Sequence, residues 1–234
     1  MIRAVLFDLD GTLLDSAPDL VAALNWLRMR HGMHALPVAQ VQFAASRGAV
    51  GLLEAGMPMA DPETLEGWRL EFLSRYEQCS WLDSKLYDGV EEVLAFLADT
   101  GLSCGLVTNK PEYLTHPILS AAGIGDRLGS VICGDTLEER KPHPAPVLAA
   151  CEQLNVLPQE SLFVGDDLRD IQAGVAAGVH TCAAMYGYGS AEMLTPENLP
   201  LIKGSIVIQK PVDLIAFLSP AEACKQSARV EQEN

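Results

Sequence analysis

The chain has 234 residues, 49% of them hydrophobic. That supply of apolar side chains supports a sizeable core and excludes global disorder. Sixteen Lys and Arg against 31 Asp and Glu give a formal charge of −15, which excludes nucleic acid and anionic membrane surfaces as natural partners.

Residues 3–8 form a short apolar run of strand type, ending in Asp8-Leu9-Asp10-Gly11-Thr12. Alternate residues of a strand share a face, so Asp8 and Asp10 can converge just past its end. Two anions that close call for a cation between them or a proton on one, and Gly11 lets the chain turn there. From Asp15 the pattern changes. Ser16 is placed to cap a helix, Pro18 fits its first turn, and Asp19 favours its positive end. Pro37 to Leu53 and Pro62 to Trp81 also read as helical, punctuated by Gly48, Gly51, Gly56, Pro58 and Pro62. Residues 15–82 are therefore expected to be an all-helical cap inserted into a sheet domain. Trp26, Trp68 and Trp81 fall in this block, where packing is the expected role.

Asp88-Gly89 returns the chain to the core. A helix from Val90 to about Gly101 leads into a strand at Cys104–Thr108, which stops at Asn109-Lys110-Pro111. A helix runs to about Ala122, then a strand at Ser130–Cys133 and the stiff loop Arg140-Lys-Pro-His-Pro144. After a helix at Pro146–Leu154, the strand Ser161–Gly165 ends in Asp166-Asp167-Leu168-Arg169-Asp170. Its helix reaches about Ala177. Strands at Thr181–Ala184 and Ser205–Ile208 and a helix at Leu214–Leu218 complete the series. Such alternation implies right-handed crossovers and a Rossmann-like α/β parallel sheet with helices on both faces. Residues 1–14 and 83–218 are expected to form this core, and 219–234 a flexible tail.

In such a sheet the ligand site lies at the carboxyl ends of the strands. Asp8 and Asp10, Thr108 and Asn109, Lys141, and Asp166, Asp167 and Asp170 all fall there. Carboxylates from two strand ends, without a His or Cys cluster, suit a hard cation such as Mg²⁺. A lysine facing them would balance charge and hold a phosphoryl oxygen. These parts suit phosphoryl transfer, with one carboxylate as nucleophile and a second as acid and base.

Asp8-Leu-Asp10-Gly-Thr12, Thr108-Asn109, Lys141-Pro142 and Gly165-Asp166-Asp167-x-x-Asp170 resemble, in order, the four motifs of the haloacid dehalogenase-like hydrolases. The resemblance covers the chain to about residue 218. It implies that Asp8 is the nucleophile and a Mg²⁺ ligand, and that Asp10 is the general acid/base and binds the metal through its backbone carbonyl. Thr108, Asn109 and Lys141 would hold the substrate, Asp166 would be the other direct metal ligand, and Asp170 would orient Lys141 or a metal-bound water. The family's usual Ser after the first Asp of the fourth motif is Asp167 here. The second acid, Asp10, favours phosphate esters over haloacids. Within the cap, Arg47 lies in a Gly-flanked break and is expected to contact the non-phosphate end of the substrate.

The chain is more closely similar to the phosphoglycolate phosphatase family. Val107-Thr-Asn-Lys-Pro111, Gly165-Asp-Asp-Leu-Arg-Asp-Ile171 and Tyr186-Gly-Tyr188 resemble its branch acting on N-acetylmuramic acid 6-phosphate. The Tyr186–Tyr188 segment either lines the site rim or is a turn with packed rings. The expectation is a Mg²⁺-dependent phosphatase acting on a small anionic phosphate ester, as a monomer or homodimer, without nucleic acid or membrane partners. The alternatives are a sugar phosphomutase of the same fold and a non-catalytic binding protein. No stretch has the length of a membrane span, acidic residues arrive early for a signal peptide, and the six Cys lack metal-finger spacing. A reducing cytoplasm is the expected setting.

Overall fold

The computed structural model describes residues 1–219. The expected tail beyond Ser219, with Cys224, lies outside the described residues. Strand β1 (Ala4–Phe7) is followed by a short β2 (Leu14–Asp15). Helices α1 (Ala17–Arg30), α2 (Val38–Val41), α3 (Gly48–Gly56) and α4 (Pro62–Glu77) come next, with a 3₁₀ turn at Gln42–Arg47 between α2 and α3. A second short strand, β3 (Lys85–Leu86), leads back through α5 (Val90–Asp99) to β4 (Ser103–Val107), α6 (Glu112–Ala121) and β5 (Ser130–Ile132). Then follow α7 (Ala145–Gln153), β6 (Ser161–Gly165), α8 (Leu168–Ala177) and β7 (His180–Ala184). The short α9 (Ser190–Met193) and α10 (Leu199–Ile202), β8 (Ile206–Ile208) and α11 (Asp213–Leu218) complete the described chain.

Six strands form one parallel sheet in the order β5-β4-β1-β6-β7-β8. The period of two along β1 divides the core between the sheet faces. Val5 and Phe7 join the cluster containing Val93, Leu94 and Leu97 of α5. Leu6 points the other way, to Val147 and Ala150 of α7 and Ala173 and Ala177 of α8. Burial on both faces explains why the strands read as continuous apolar runs.

The chain builds outward from β1 to β4 and β5, then crosses to β6 on the other side. The carboxyl end of β1 is thus the point where the strand order reverses, and crevices form there. Asp8, Thr108 and Asp166 follow the three central strands β1, β4 and β6. The ladder continues one residue further at Asp8, whose N–H donates to the Val164 carbonyl at 2.9 Å, and at Thr108, whose N–H donates to Ile132 at 2.9 Å. These side chains therefore stand on hydrogen-bonded backbone.

The helical segment leaves and rejoins the core through β2 and β3, an antiparallel pair absent from the sequence reading. Each is two residues long, too short for any periodicity to register. Asp19 ties the crossing together. Its buried carboxylate accepts from the N–H groups of Leu82, Asp83 and Ser84 at 3.1, 2.9 and 3.0 Å and from the Ser84 hydroxyl at 2.5 Å. It was expected only to complement a helix end. Ser16 also departs from expectation. Its hydroxyl makes no cap bond and instead donates to Asp10 at 2.6 Å. The stretch from Pro37 to Leu53 is broken at Gly48, whose φ of 64° and ψ of −153° lie in a region open essentially to glycine alone.

Tyr186 and Tyr188 form a turn whose rings pack against the core. Tyr87 stacks edge-on against Tyr186 at 5.0 Å, Tyr186 donates to the Thr12 carbonyl, and Tyr188 donates to Asp15 at 2.6 Å while accepting from the Ala17 N–H. Trp26 lies under the guanidinium groups of Arg30 and Arg75, and Trp68 meets His31 edge-on, as packing residues would.

Candidate active site

A cavity of about 360 Å³ opens between the strand ends and the helical segment. Its lining includes six cations (Arg47, Arg69, Lys110, Arg140, Lys141 and Arg169) against four acids, Asp8, Asp10, Asp167 and Asp170. In a chain with nearly twice as many acids as bases, that is a local inversion of charge, and it suits an anionic ligand.

At its floor and just beneath it, Asp8, Asp166 and Asp170 are all buried, and one oxygen from each lies within 4.8 Å of the others. Burial pushes the Asp166 carboxyl well above the usual carboxylate range, and the negative charges of Asp8 and Asp170 push it further. Three donors hold it in place: the Thr12 hydroxyl at 3.0 Å and the N–H groups of Tyr188 and Gly189 at 2.8 and 3.2 Å. Gly11, at φ 88°, is needed here twice over. A Cβ would strain its backbone and would also stand 2.3 Å from an Asp166 carboxylate oxygen.

Lys141 counters the cluster. Its ammonium lies 2.7 Å from Asp8 and 2.7 Å from Asp170 and donates to the Val107 carbonyl at 2.9 Å. Burial favours the neutral amine, but Asp170 and Asp8 outweigh it, so the Lys141 pKa is raised. The Asp170 carboxyl is raised by burial, against the pull of Lys141. Its Oδ2 accepts from the Asp167 N–H at 3.1 Å and closes the first turn of α8.

Asn109 has a positioning contact that the sequence reading did not foresee. Its side-chain amide donates to the Lys141 carbonyl at 2.9 Å, and its carbonyl oxygen accepts from the Lys141 N–H at 3.0 Å. Both polar ends are engaged in clamping the Lys141 backbone beside Thr108. Asn109 lines the cavity as well, so its side chain positions a lysine at the wall where substrate contact was expected. Thr108 lines the cavity, with its hydroxyl accepting from the Lys110 N–H at 3.2 Å.

Lys110 is a charged residue of the site that sequence reasoning passed over. Buried in the cavity wall, its ammonium lies 2.9 Å from each carboxylate oxygen of Asp10 and 2.9 Å from the Tyr76 hydroxyl of α4. Burial would discharge it, but Asp10 and Tyr76 hold its pKa above the ordinary value. Tyr76 stacks on Phe72, and burial pushes its phenol up to about 12. A signal was present: a lysine two residues past a strand end, in a chain poor in lysine. The Asp10 side chain thus turns toward Lys110 and Ser16 rather than into the carboxylate cluster. Arg47 does reach the cavity wall. Its side chain is 44% exposed, and one edge pairs with Glu54 at 3.3 Å.

A model of the haloacid dehalogenase-like hydrolases matches residues 5–184. The chain belongs to this family. It is 46% identical over 190 residues to a phosphoglycolate phosphatase of Xylella fastidiosa, covering 81% of this chain and 83% of that one. It is 40% identical over 223 residues to an N-acetylmuramic acid 6-phosphate phosphatase of Pseudomonas aeruginosa, covering 94% and 96%. Among solved structures, a predicted phosphoglycolate phosphatase from Haemophilus somnus superposes with a TM-score of 0.80 at 28% identity, over 93% of this chain and 98% of that one. Among the described residues, no helix is long and apolar enough to cross a membrane.

Proposed function

We propose that the chain is a Mg²⁺-dependent phosphatase that hydrolyses a small, carboxylated phosphate monoester through an aspartyl-phosphate. The observation that carries this reading is the cluster of Asp8, Asp166 and Asp170 at adjoining strand ends, with Lys141 within 2.7 Å of two of them. Its relatives' names point the same way.

The donor set fits a hard divalent cation: three buried carboxylates, all oxygen, whose mutual repulsion Lys141 offsets only in part. Asp8, Asp166 and the Asp10 carbonyl would hold the ion, with Asp170 beside them. Bound there, Mg²⁺ would neutralise charge on the transferring phosphoryl group. The chain's own groups do the rest. Asp8 attacks phosphorus as the ester P–O bond breaks. Asp10 gives a proton to the departing alkoxide, then takes one from the water that attacks the phosphorus and frees Asp8. Lys141 and the Thr108 hydroxyl hold phosphoryl oxygens throughout. The segment from Asp15 to Leu82 acts as a cap that excludes bulk water, and Arg47 meets the leaving group.

Two substrates fit the class, 2-phosphoglycolate and N-acetylmuramic acid 6-phosphate, and both carry a carboxylate. The cavity of about 360 Å³ favours the larger, since a two-carbon ester needs far less than the roughly 300–1,000 Å³ of pockets for drug-sized ligands. The near full-length match to the P. aeruginosa enzyme supports the same choice. The test is hydrolysis of p-nitrophenyl phosphate with and without Mg²⁺, followed by kcat/KM for both candidates and a hexose phosphate. Metal-dependent turnover that is lost in Asp8→Asn is expected. Turnover without metal, or retained in that variant, removes the mechanism.

A further inference from the structure

Asp167 stands where the family's usual residue is Ser, and the mechanism makes no use of it. The structure supplies its partner. Asp167 Oδ1 accepts from the Arg169 Nε at 2.7 Å and from its backbone N–H at 2.9 Å, and Oδ2 accepts from Nη2 at 3.1 Å. This is a two-pronged guanidinium–carboxylate pair, which fixes a plane as well as a position. A serine hydroxyl at 167 could not grip both prongs. The Asp167 carboxyl is held below its ordinary range because Arg169 outweighs the effect of burial.

Arg169 does a second thing. Its Nη2 donates to the Ser46 carbonyl at 2.5 Å. That carbonyl belongs to the 3₁₀ turn of the cap, one residue before Arg47. One guanidinium therefore joins the fourth-motif turn of the core to the cap segment that carries Arg47. These bonds engage the Nε and Nη2 edge. Nη1 makes no hydrogen bond to any described residue. Arg169 lines the same cavity as Arg47, and its side chain is 31% exposed. A guanidinium has five N–H donors, so it can stay anchored through one edge and still present another pair to a ligand. Because that anchoring is already in place, binding costs little further side-chain ordering.

We propose that Arg169 is a specificity-determining residue that reads the carboxylate of the leaving group from the core side of the cavity that Arg47 also lines, with Asp167 and the Ser46 carbonyl as its positioning groups. This rests on the phosphatase reading above. It gives the departure at residue 167 a purpose: the extra carboxylate serves Arg169 and lies outside the Asp8–Asp166–Asp170 cluster.

The experiment uses two pairs of esters that differ mainly in the carboxylate. These are 2-phosphoglycolate against ethyl phosphate, and N-acetylmuramic acid 6-phosphate against N-acetylglucosamine 6-phosphate. The quantity read is the ratio of kcat/KM within each pair. The full chain is expected to favour the carboxylated member of at least one pair. Arg169→Met should lower that ratio by about thirtyfold, the scale of a lost charge-assisted hydrogen-bond pair, and chiefly through KM. Arg169→Lys keeps the charge without the fork and should lose part of the ratio. Asp167→Ser should lose a similar part, because the guanidinium is then unanchored. Thermal melts report folding, and if Arg169→Met does not fold, Arg169→Lys decides. A ratio unchanged in Arg169→Lys and Arg169→Met while both members slow together makes Arg169 a strut and overturns the proposal. So does a wild-type chain indifferent to the carboxylate. Turnover in Asp8→Asn is a separate failure, of the phosphatase reading itself.

Discussion

The strand-end floor of the cavity and its wall toward the helical segment are built differently. On the floor, Asp8 and Thr108 stand on laddered backbone, Asp166 directly follows β6, and the two carboxylates are locked by short contacts within the core. On the wall, two core cations reach across to oxygens of the helical segment, Lys110 to the Tyr76 hydroxyl and Arg169 to the Ser46 carbonyl. Each is also held by a core aspartate, Asp10 or Asp167. The floor is suited to chemistry that must not move. The wall is suited to a closure that makes and breaks, because each bridge adds one hydrogen bond to a cation already neutralised. Local stability should therefore differ between the two, as it does between rigid and mobile units of one protein.

The comparison breaks first at Lys141. Lys141→Met removes the ammonium between Asp8 and Asp170 and leaves buried carboxylates unpaired. Breaking a buried pair costs about 3–5 kcal/mol, so p-nitrophenyl phosphate turnover should fall by about three orders of magnitude or the protein should fail to fold. A loss under tenfold would contradict the account of the floor. Next comes the crossing itself. Asp19→Ala orphans three backbone N–H groups and should cost about 3 kcal/mol, read as a fall of about 6–12 °C in Tm. A smaller fall would mean the crossing is held elsewhere. Mg²⁺ should stabilise the folded chain by about 2.7 kcal/mol at a hundredfold excess over its dissociation constant, seen as a rise in Tm, and Asp166→Asn should abolish that rise.

On the wall the effects are smaller and more selective. Tyr76→Phe deletes one hydroxyl and keeps the ring on Phe72. A net cost of about 1 kcal/mol should appear as a roughly fivefold drop in kcat with KM nearly unchanged, because the lost contact orders Lys110 and Asp10. A change in KM alone would move Tyr76 from closure to substrate binding. Arg47→Ala should raise KM severalfold for a carboxylated ester and less for p-nitrophenyl phosphate. Equal changes would take Arg47 out of the site.

The same contrast explains what the sequence revealed. Floor residues were legible because polar groups that follow apolar strands in a parallel sheet converge at one edge, whatever lies between them. Asp8, Asp166, Asp170 and Lys141 were found that way. Wall residues depend on how two separate segments meet. Thr-Asn-Lys-Pro shows an isolated lysine past a strand end, but nothing local says that Lys110 faces Asp10 while Asn109 clamps Lys141. Ser16 looked like a helix cap and proved a partner of Asp10. Asp19 looked like a helix-dipole residue and proved the clasp of the crossing, 63 to 65 positions from its partners. Tyr186 and Tyr188 were left between rim and packing, and the geometry chose packing against Tyr87.

If Asp8 attacks phosphorus, it carries an acyl phosphate during turnover. An acyl phosphate is reduced by borohydride to the alcohol, which would convert a phosphorylated Asp8 to homoserine. The chain is quenched during turnover with Mg²⁺ and p-nitrophenyl phosphate, reduced, digested and read by mass spectrometry. The account predicts the reduced residue at position 8 and at no other, and its absence when substrate is omitted. Reduction at another carboxylate, or none while turnover proceeds, would contradict it.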